Sequence, residues 1–201
     1  QRGKGNAHVN PNRDRGHGRI YRVVWEDAPK STIQSLAGAN IEQLVAALES
    51  DNLFWRHTAQ RLIVDGEVMG AVSALKKKVN SGGTGAIQAL WSLSGLEALD
   101  SETLQAALMS KDPALRRNAI KALGSDAAAL QLFFDTAVVQ DEELIVRLAA
   151  FNKMAQFDDQ ETIARAAKEL IKDFSNASEP WLYQRLRNAG AGPVERGPSK
   201  L

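Results

Sequence analysis

The stretch that decides the fold is Asp112-Pro-Ala-Leu-Arg-Arg-Asn-Ala-Ile-Lys-Ala-Leu-Gly124. Asp112 is a residue type that caps the free N–H groups at a helix start, and Pro113 follows where its missing N–H costs nothing. Gly124 predicts a left-handed turn that ends the helix. One face combines small and large apolar side chains at helical spacing, namely Leu115, Ala119, Ala122 and Leu123. The stretch therefore predicts a helix that packs closely against similar neighbours.

The spacing of this stretch recurs along the chain. Trp55-Arg-His-Thr-Ala59 and Val146-Arg-Leu-Ala-Ala150 match Leu115-Arg-Arg-Asn-Ala119, while Ala86-Ile-Gln-Ala89-Leu-Trp-Ser-Leu93 keeps the apolar positions without the Arg. Leu182-Tyr-Gln-Arg-Leu186 is a weaker copy. The anchor positions 56, 86, 116, 147 and 183 are therefore 30, 30, 31 and 36 residues apart. Amphipathic segments between the copies predict a partner helix for each: Met69–Val79, Thr103–Met109, Ala127–Val138 and Ile163–Phe174.

Each helix pair is too small to bury its own apolar face, so the period predicts pairs that stack on one another. The predicted fold is all-α, an α-solenoid of about five helix pairs that begins at Asn40. Before it, Arg19-Ile-Tyr-Arg-Val-Val-Trp25 alternates like a β-strand, but no second strand follows and the strand needs a sheet from elsewhere. We predict four parts: residues 1–25 as an extended arm with this strand, 26–39 as a linker, 40–189 as the helical repeats, and 190–201 as a flexible tail.

The charge of the chain is nearly balanced, with 25 Lys and Arg against 24 Asp and Glu. Residues 1–30 hold seven basic and three acidic residues, so the remainder is acidic. The absence of Cys excludes disulfides, thiolate metal sites and covalent c-type haem attachment within this chain. No apolar run approaches the roughly 20 residues that span a bilayer. A start at Gln1 without Met suggests a processed or excised piece of a longer protein.

The Asp-Pro…Leu-Arg…Ala…Ala-Leu-Gly pattern at 112–124 resembles HEAT-like repeats. With Asn10-Pro-Asn-Arg-Asp-Arg-Gly-His-Gly-Arg-Ile-Tyr-Arg-Val-Val24 and Trp55-Arg-His-Thr-Ala-Gln-Arg-Leu62, nearly the whole chain resembles the middle of large secreted bacterial proteins known as membrane-bound dehydrogenases. In that family a glucose/sorbosone dehydrogenase-like β-propeller ends in a Gly-Arg-Ile-Tyr-Arg-Val strand, passes into HEAT repeats and often continues to a c-type cytochrome domain. The resemblance implies a periplasmic or secreted location and a parent family that uses a quinone cofactor and haem c.

We therefore interpret the chain as a non-catalytic scaffold or interaction module, with no cofactor of its own and a propeller or cytochrome domain or subunit as its protein partner. The alternative is a HEAT-like nucleic-acid-binding protein or DNA glycosylase. That class needs a basic surface, and we expect the helices to lack a basic stripe because residues 31–201 are acidic overall. No nucleophile, catalytic base or metal set stands out, so we expect no enzymatic activity of this chain alone, although the parent protein is expected to be a dehydrogenase.

Two groups of residues are candidates for a role in binding or assembly. Arg56, Arg116 and Arg147 predict a ladder along one edge of the stack, in which they pair with Asp51, Asp112 and Asp141 or with neighbours of these. His8, Asp14 and His17 are metal-ligand types, but their spacing matches no compact ligand motif, so we predict no metal site. The residues expected to contact a partner lie in the arm: Arg13, Arg15, His17, Arg19, Tyr21, Val23 and Trp25.

Overall fold

The structure, a computed structural model, describes residues 35–174 and the separate residues 16, 20, 23 and 25–27; for 169–174 it describes the backbone alone. The chain divides into the units Gln1–Ile33 and Gln34–Leu201, and each is described by itself. The described part is all-α. Its helices are α1 (Ile41–Ala47), α2 (Leu53–Asp65), α3 (Val72–Ser81), α4 (Thr84–Gly95), α5 (Ser101–Leu108), α6 (Pro113–Ala122), α7 (Ala127–Asp135), α8 (Leu144–Met154) and α9 (Gln160–Phe174).

The helix starts follow from side-chain caps that are visible in the sequence. Asn40 accepts a hydrogen bond from the Gln43 N–H at 2.9 Å, and the Gln43 side chain accepts one from the Asn40 N–H, which completes a capping box. Asp112 accepts from the Ala114 N–H at 2.8 Å, and Pro113 is the first residue of α6, as predicted. The caps of α2, α5 and α7 are of the same kind: Asn52, Asp100 and Asp126.

Two helix ends differ from the prediction. Gly124 takes no left-handed turn; instead α6 ends at Ala122, and Leu123 leaves the helix with ψ 139° in an extended conformation. The predicted helix Ala127–Val138 ends at Asp135, because Ala137 has a left-handed φ of 48° and starts the short 3-10 turn Val138–Gln140. Neither end therefore follows the local residue pattern from which it was predicted.

The helices contact one another in a regular order. Neighbours in the chain pack as the pairs α1 with α2, α3 with α4, and α5 with α6. Helices two apart also pack, so α1, α3, α5 and α7 form one series of contacts and α2, α4, α6 and α8 form another. We refer to the first series as layer A and the second as layer B. Each of the three pairs therefore places one helix in each layer.

The core lies between the two layers, and its smallest side chains recur with the sequence period. Ala59, Ala89, Ala119 and Ala150 occupy matching positions in the four helices of layer B, and each has no exposed surface. Ala119 thus lies buried on the apolar face predicted for 112–124, and Ala89 and Ala150 are buried at the same position of their sequence copies. Because Ala leaves room for a close neighbour, helices can approach here, and larger side chains four residues later fill the remaining space: Ile63, Leu93, Leu123 and Met154.

Several predictions fall on residues that the structure does not describe. Of the strand predicted over Arg19–Trp25, Ile20, Val23 and Trp25 are described and none of them is in a strand. The weak repeat copy at 182–186 and the predicted tail at 190–201 lie outside the described residues, as do most of the residues of the predicted arm and linker. The strand, the four-part division and the fifth helix pair therefore stay predictions.

Candidate interaction surface

Three arginines of layer B make the same backbone contact. Arg56 Nη1 donates to the Ser50 carbonyl at 2.5 Å, Arg116 Nη1 to the Ser110 carbonyl at 2.8 Å, and Arg147 Nη1 to the Asp141 carbonyl at 2.7 Å. In each case the acceptor lies six residues before the arginine, in the loop that enters its helix. The guanidinium thus satisfies a carbonyl that the turn leaves without a helical partner.

Arg116 also reaches the next repeat. Its Nε and Nη2 donate to the two carboxylate oxygens of Asp141 at 2.7 and 2.8 Å, and both side chains are only 9% exposed. The hydrogen bond to Asp141 raises the pKa of Arg116. Burial alone would raise the pKa of Asp141, but the bond from Arg116 and the Glu143 N–H outweigh it and lower that pKa.

The structure therefore brings Arg116 and Arg147 together at Asp141, one through its carboxylate and the other through its carbonyl. Arg56 lies at the start of the series, where its acceptor is the Ser50 carbonyl rather than the side chain of Asp51. Asp112 does not pair with Arg116, because its carboxylate caps α6. The sequence identified these arginines but did not show that the carboxylate partner comes from the following repeat.

The second repeat lacks the arginine, since Ala86 occupies its position. There Gly82 and Gly83, with φ of 75° and 79°, form the turn into α4. Lys78 Nζ contacts Glu49 Oε1 at 2.5 Å, which links α3 to the end of α1 across Gly85. This ion pair thus lies beside the start of α4, the layer B helix that lacks the arginine.

Two further side chains join successive repeats. Trp91 Nε1 donates to Asn118 Oδ1 at 2.9 Å, which connects α4 with α6 and agrees with a role for this Trp in packing between repeats. Lys153 is 6% exposed and donates from Nζ to the Leu123 carbonyl at 2.6 Å. That contact takes the place of a glycine turn at the end of α6. Burial lowers the pKa of Lys153, whose Nζ also lies 5.5 Å from the centre of the Phe157 ring.

Layer B concentrates positive charge. Its four helices hold a single acidic residue, Asp65, whereas the rest of residues 35–174 holds eighteen acidic and seven basic residues. The basic residues lie on α2, α6 and α8, whereas α4 between them has none, so the expectation that the helices carry no continuous basic stripe stays a prediction. The basic residues of layer B are Arg56, Arg61, Arg116, Arg117, Lys121, Arg147 and Lys153.

The face of layer B also contains a depression of about 260 Å³ between α6 and α8. Its lining consists of two apolar residues, two lysines and two residues with amide side chains, and it includes no carboxylate. The lining residues are Ile120, Lys121, Ala149, Asn152, Lys153 and Gln156.

The arm residues chosen from sequence fall mostly outside the description. Arg13, Arg15, His17, Arg19 and Tyr21 are not described. Val23 and Trp25 are described, and their side chains are 96% and 69% exposed.

Within the described residues, no group of three or more His, Asp or Glu side chains could hold a metal ion. His57 is exposed at the surface of α2. None of the described helices is both long enough and apolar enough to span a bilayer.

Comparison with known proteins does not assign the chain to a family. No protein-family model matches it, and no curated protein matches it closely enough to be a relative.

Proposed function

We propose that the chain is a non-catalytic helical-repeat scaffold, an α-solenoid of HEAT-like repeats that holds partner proteins in place. The observation that carries this proposal is the repeated Arg-to-carbonyl contact at Arg56, Arg116 and Arg147, which lie on three of the four helices of layer B. A series of similar units with contacts between neighbours offers an extended surface, and such surfaces serve binding.

The proposed setting is a larger periplasmic or secreted assembly with a propeller-type dehydrogenase or a c-type cytochrome. The support is the resemblance of residues 10–24 to the closing strand of such a propeller. In that setting the quinone cofactor and the haem belong to the partner domains or subunits, and the helical array fixes their relative positions.

The arm is the proposed contact with the propeller. Ile20, Val23 and Trp25 are exposed apolar residues, and apolar groups clustered in a short segment favour a surface that a partner covers. The alternation over 19–25 suits addition of a strand to the edge of a partner sheet, in which backbone hydrogen bonds provide the affinity.

The test is to measure binding of the full chain to the propeller and cytochrome proteins of the same organism. Val23→Pro removes a backbone donor and is expected to weaken propeller binding by at least about tenfold. Ala28→Pro, in the predicted linker, is the matched control and should leave binding unchanged. Circular dichroism of both variants checks that the helices are intact. Equal binding by the Val23→Pro variant would contradict the role of the arm.

A second candidate, a nucleic-acid-binding protein or DNA glycosylase of HEAT-like form, is favoured by one observation, the concentration of cations in layer B. It is tested by assaying base release from duplexes that carry alkylated bases. The scaffold proposal expects no base release and no sugar oxidation with quinone acceptors from the purified chain. Turnover that is lost on His57→Ala would overturn the scaffold proposal.

A further inference from the structure

We propose that the exposed face of layer B binds an acidic segment of a partner protein, with Arg61, Arg117 and Lys121 as the residues that contact its carboxylates. The inference rests on the proposed scaffold function and adds the chemistry of the partner and the place where it docks.

These three cations are available for a ligand, whereas the other arginines of the layer are occupied. Arg56, Arg116 and Arg147 are held by loop carbonyls. Arg61 and Lys121 are exposed. Arg117 is half-buried, and its Nε is buried without a hydrogen-bond partner, as is Arg56 Nε. A ligand would therefore contact the rest of the Arg117 guanidinium, whose charge and planar shape suit a carboxylate.

The available cations lie on one face by virtue of the repeat. Arg61, Trp91, Lys121 and Asn152 are each five residues after an anchor position, so they occupy corresponding places on α2, α4, α6 and α8. Trp91 contacts Asn118 of α6, which places it beside the helix that contains Arg117 and Lys121. The face therefore presents cations around a half-buried indole, a combination that suits a segment with both acidic and apolar side chains.

Among the described helices of layer B the one acidic residue is Asp65, a turn after Arg61 on α2, and α6, which holds Arg117 and Lys121, has no carboxylate of its own. Ion pairs in the described part of the chain join Lys76 with Asp100, Lys78 with Glu49, and Arg116 with Asp141. None of these pairs includes Arg61, Arg117 or Lys121. The three cations of the docking face are thus left for a partner.

Charge at both ends of the layer B helices favours an acidic polypeptide over nucleic acid. The loops that enter these helices hold Glu49, Asp51 and Glu142, and the loops that leave them hold Glu67 and Glu97. A duplex carries a phosphate charge about every 1.7 Å along its axis, so it would extend over these acids and be repelled. A short acidic segment can place its charges between them, and the depression with Lys121 and Lys153 has room for a carboxylate side chain.

The experiment uses the full chain and a short fluorescent peptide that alternates Glu and Leu, with binding followed by fluorescence anisotropy. The double variant Arg61→Glu/Lys121→Glu is expected to bind at least about tenfold more weakly. Lys77→Glu reverses an exposed charge on α3 in layer A and is the matched control, which should change binding less than twofold, roughly. A single-stranded oligonucleotide of equal charge is expected to bind more weakly than the peptide.

Three results would overturn the inference: no peptide binding, an equal loss with Lys77→Glu, or tighter binding of the oligonucleotide than of the peptide. A failure of this inference can be distinguished from a failure of the scaffold proposal. Binding to the propeller through the arm depends on Val23, so it can persist when the peptide does not bind. If the peptide binds but the propeller and cytochrome proteins do not, the proposed docking face is supported and the proposed assembly is contradicted.

Discussion

Arg116 makes two kinds of contact in layer B. It closes its own repeat at the Ser110 carbonyl and joins the next repeat at Asp141. Because both charged side chains are largely withdrawn from water, the loss of one leaves the other buried without its counter-charge. Such losses cost far more than the net contribution of the intact pair.

We expect Arg116→Ala to lower the free energy of unfolding by about 3 kcal/mol, since it leaves the buried Asp141 carboxylate with the Glu143 N–H and the nearby charge of Arg147 alone. Lys121→Ala, an exposed change on the same helix, should alter it by no more than about 0.5 kcal/mol. Urea unfolding of the two variants and the parent measures both values. Similar losses for the two variants would mean that the pair does not hold the repeats together.

A double variant separates the contribution of the ion pair from that of the two individual side chains. The double change Arg116→Met/Asp141→Leu replaces the buried ions with apolar side chains and should be more stable than Arg116→Ala. Two further hydrogen bonds are lost in the double variant: the one that Arg116 donates to the Ser110 carbonyl and the one that Asp141 accepts from the Glu143 N–H. If the double variant is the least stable of the three proteins, these hydrogen bonds contribute more to the stability than the ion pair does.

Acid should destabilise the fold through Asp100 and Asp141. The Lys76 hydrogen bond, together with those of Thr103, lowers the pKa of Asp100 from 3.8 to about 2, and the pKa of Asp141 is also lowered. The unfolded chain therefore binds more protons than the folded chain in this range, and stability is lost as the pH falls from about 4 toward 2. Urea midpoints measured across this range should fall less steeply for Asp100→Asn than for the parent.

At the scale of a single helix, Gly85 of α4 gives an instructive test. Replacing a helical Gly with Ala ordinarily stabilises a helix by about 1 kcal/mol. Here the new Cβ would lie near Glu49 Cγ and 2.9 Å from Lys78 Cε, within the ion pair that links α1 and α3. The clash and the disturbed pair oppose the gain in helix propensity.

We expect Gly85→Ala to destabilise the protein by about 1–3 kcal/mol. Gly124→Ala is the matched control, because its Cβ would meet Ala129 Cβ at an ordinary 3.7 Å and its φ is not left-handed. Thermal unfolding compares the two. Stabilisation by Gly85→Ala would show that Glu49 and Lys78 move aside without loss.

Helix starts could be predicted from sequence and helix ends only in part. Asp112 caps the backbone within two residues, so its local chemistry is sufficient for the prediction. The end of α6 depends instead on Lys153, thirty residues away, whose ammonium binds the Leu123 carbonyl. The preference for glycine at helix ends cannot predict such a contact, because the contact forms only after α6 and α8 have packed.

At the scale of the whole molecule, the predicted period led to the helices and their buried Ala positions, but the net charge did not show where the charges lie. The sum over residues 31–201 hides the fact that three helices of layer B, α2, α6 and α8, hold seven basic residues and one acidic residue. The separation becomes visible only when helices two apart are recognised as neighbours. The candidate residues Arg61 and Arg117 were missed for this reason, although their position relative to the anchors at 56 and 116 was available in the sequence.

The charge separation can be measured without any partner. We expect Arg61→Glu to shorten retention on a cation exchanger at neutral pH more than Lys77→Glu does, although the two changes alter net charge equally. The reason is that an asymmetric protein adsorbs through its most basic surface. Equal shifts for the two variants would indicate that layer B is not the basic surface in solution.

The junctions between successive repeats are held by different kinds of contact, and this difference affects how they respond to solution conditions. The turn at Gly82 and Gly83 enters the repeat without an anchoring arginine, whereas the later junction is clamped by the two-pronged contact of Arg116 with Asp141. The helices that the glycine turn joins, α3 and α4, also pack against each other, so apolar packing holds that junction, whereas a buried ion pair holds the later one. Protonation of Asp141 at low pH would therefore loosen the later junction and leave the earlier one closed.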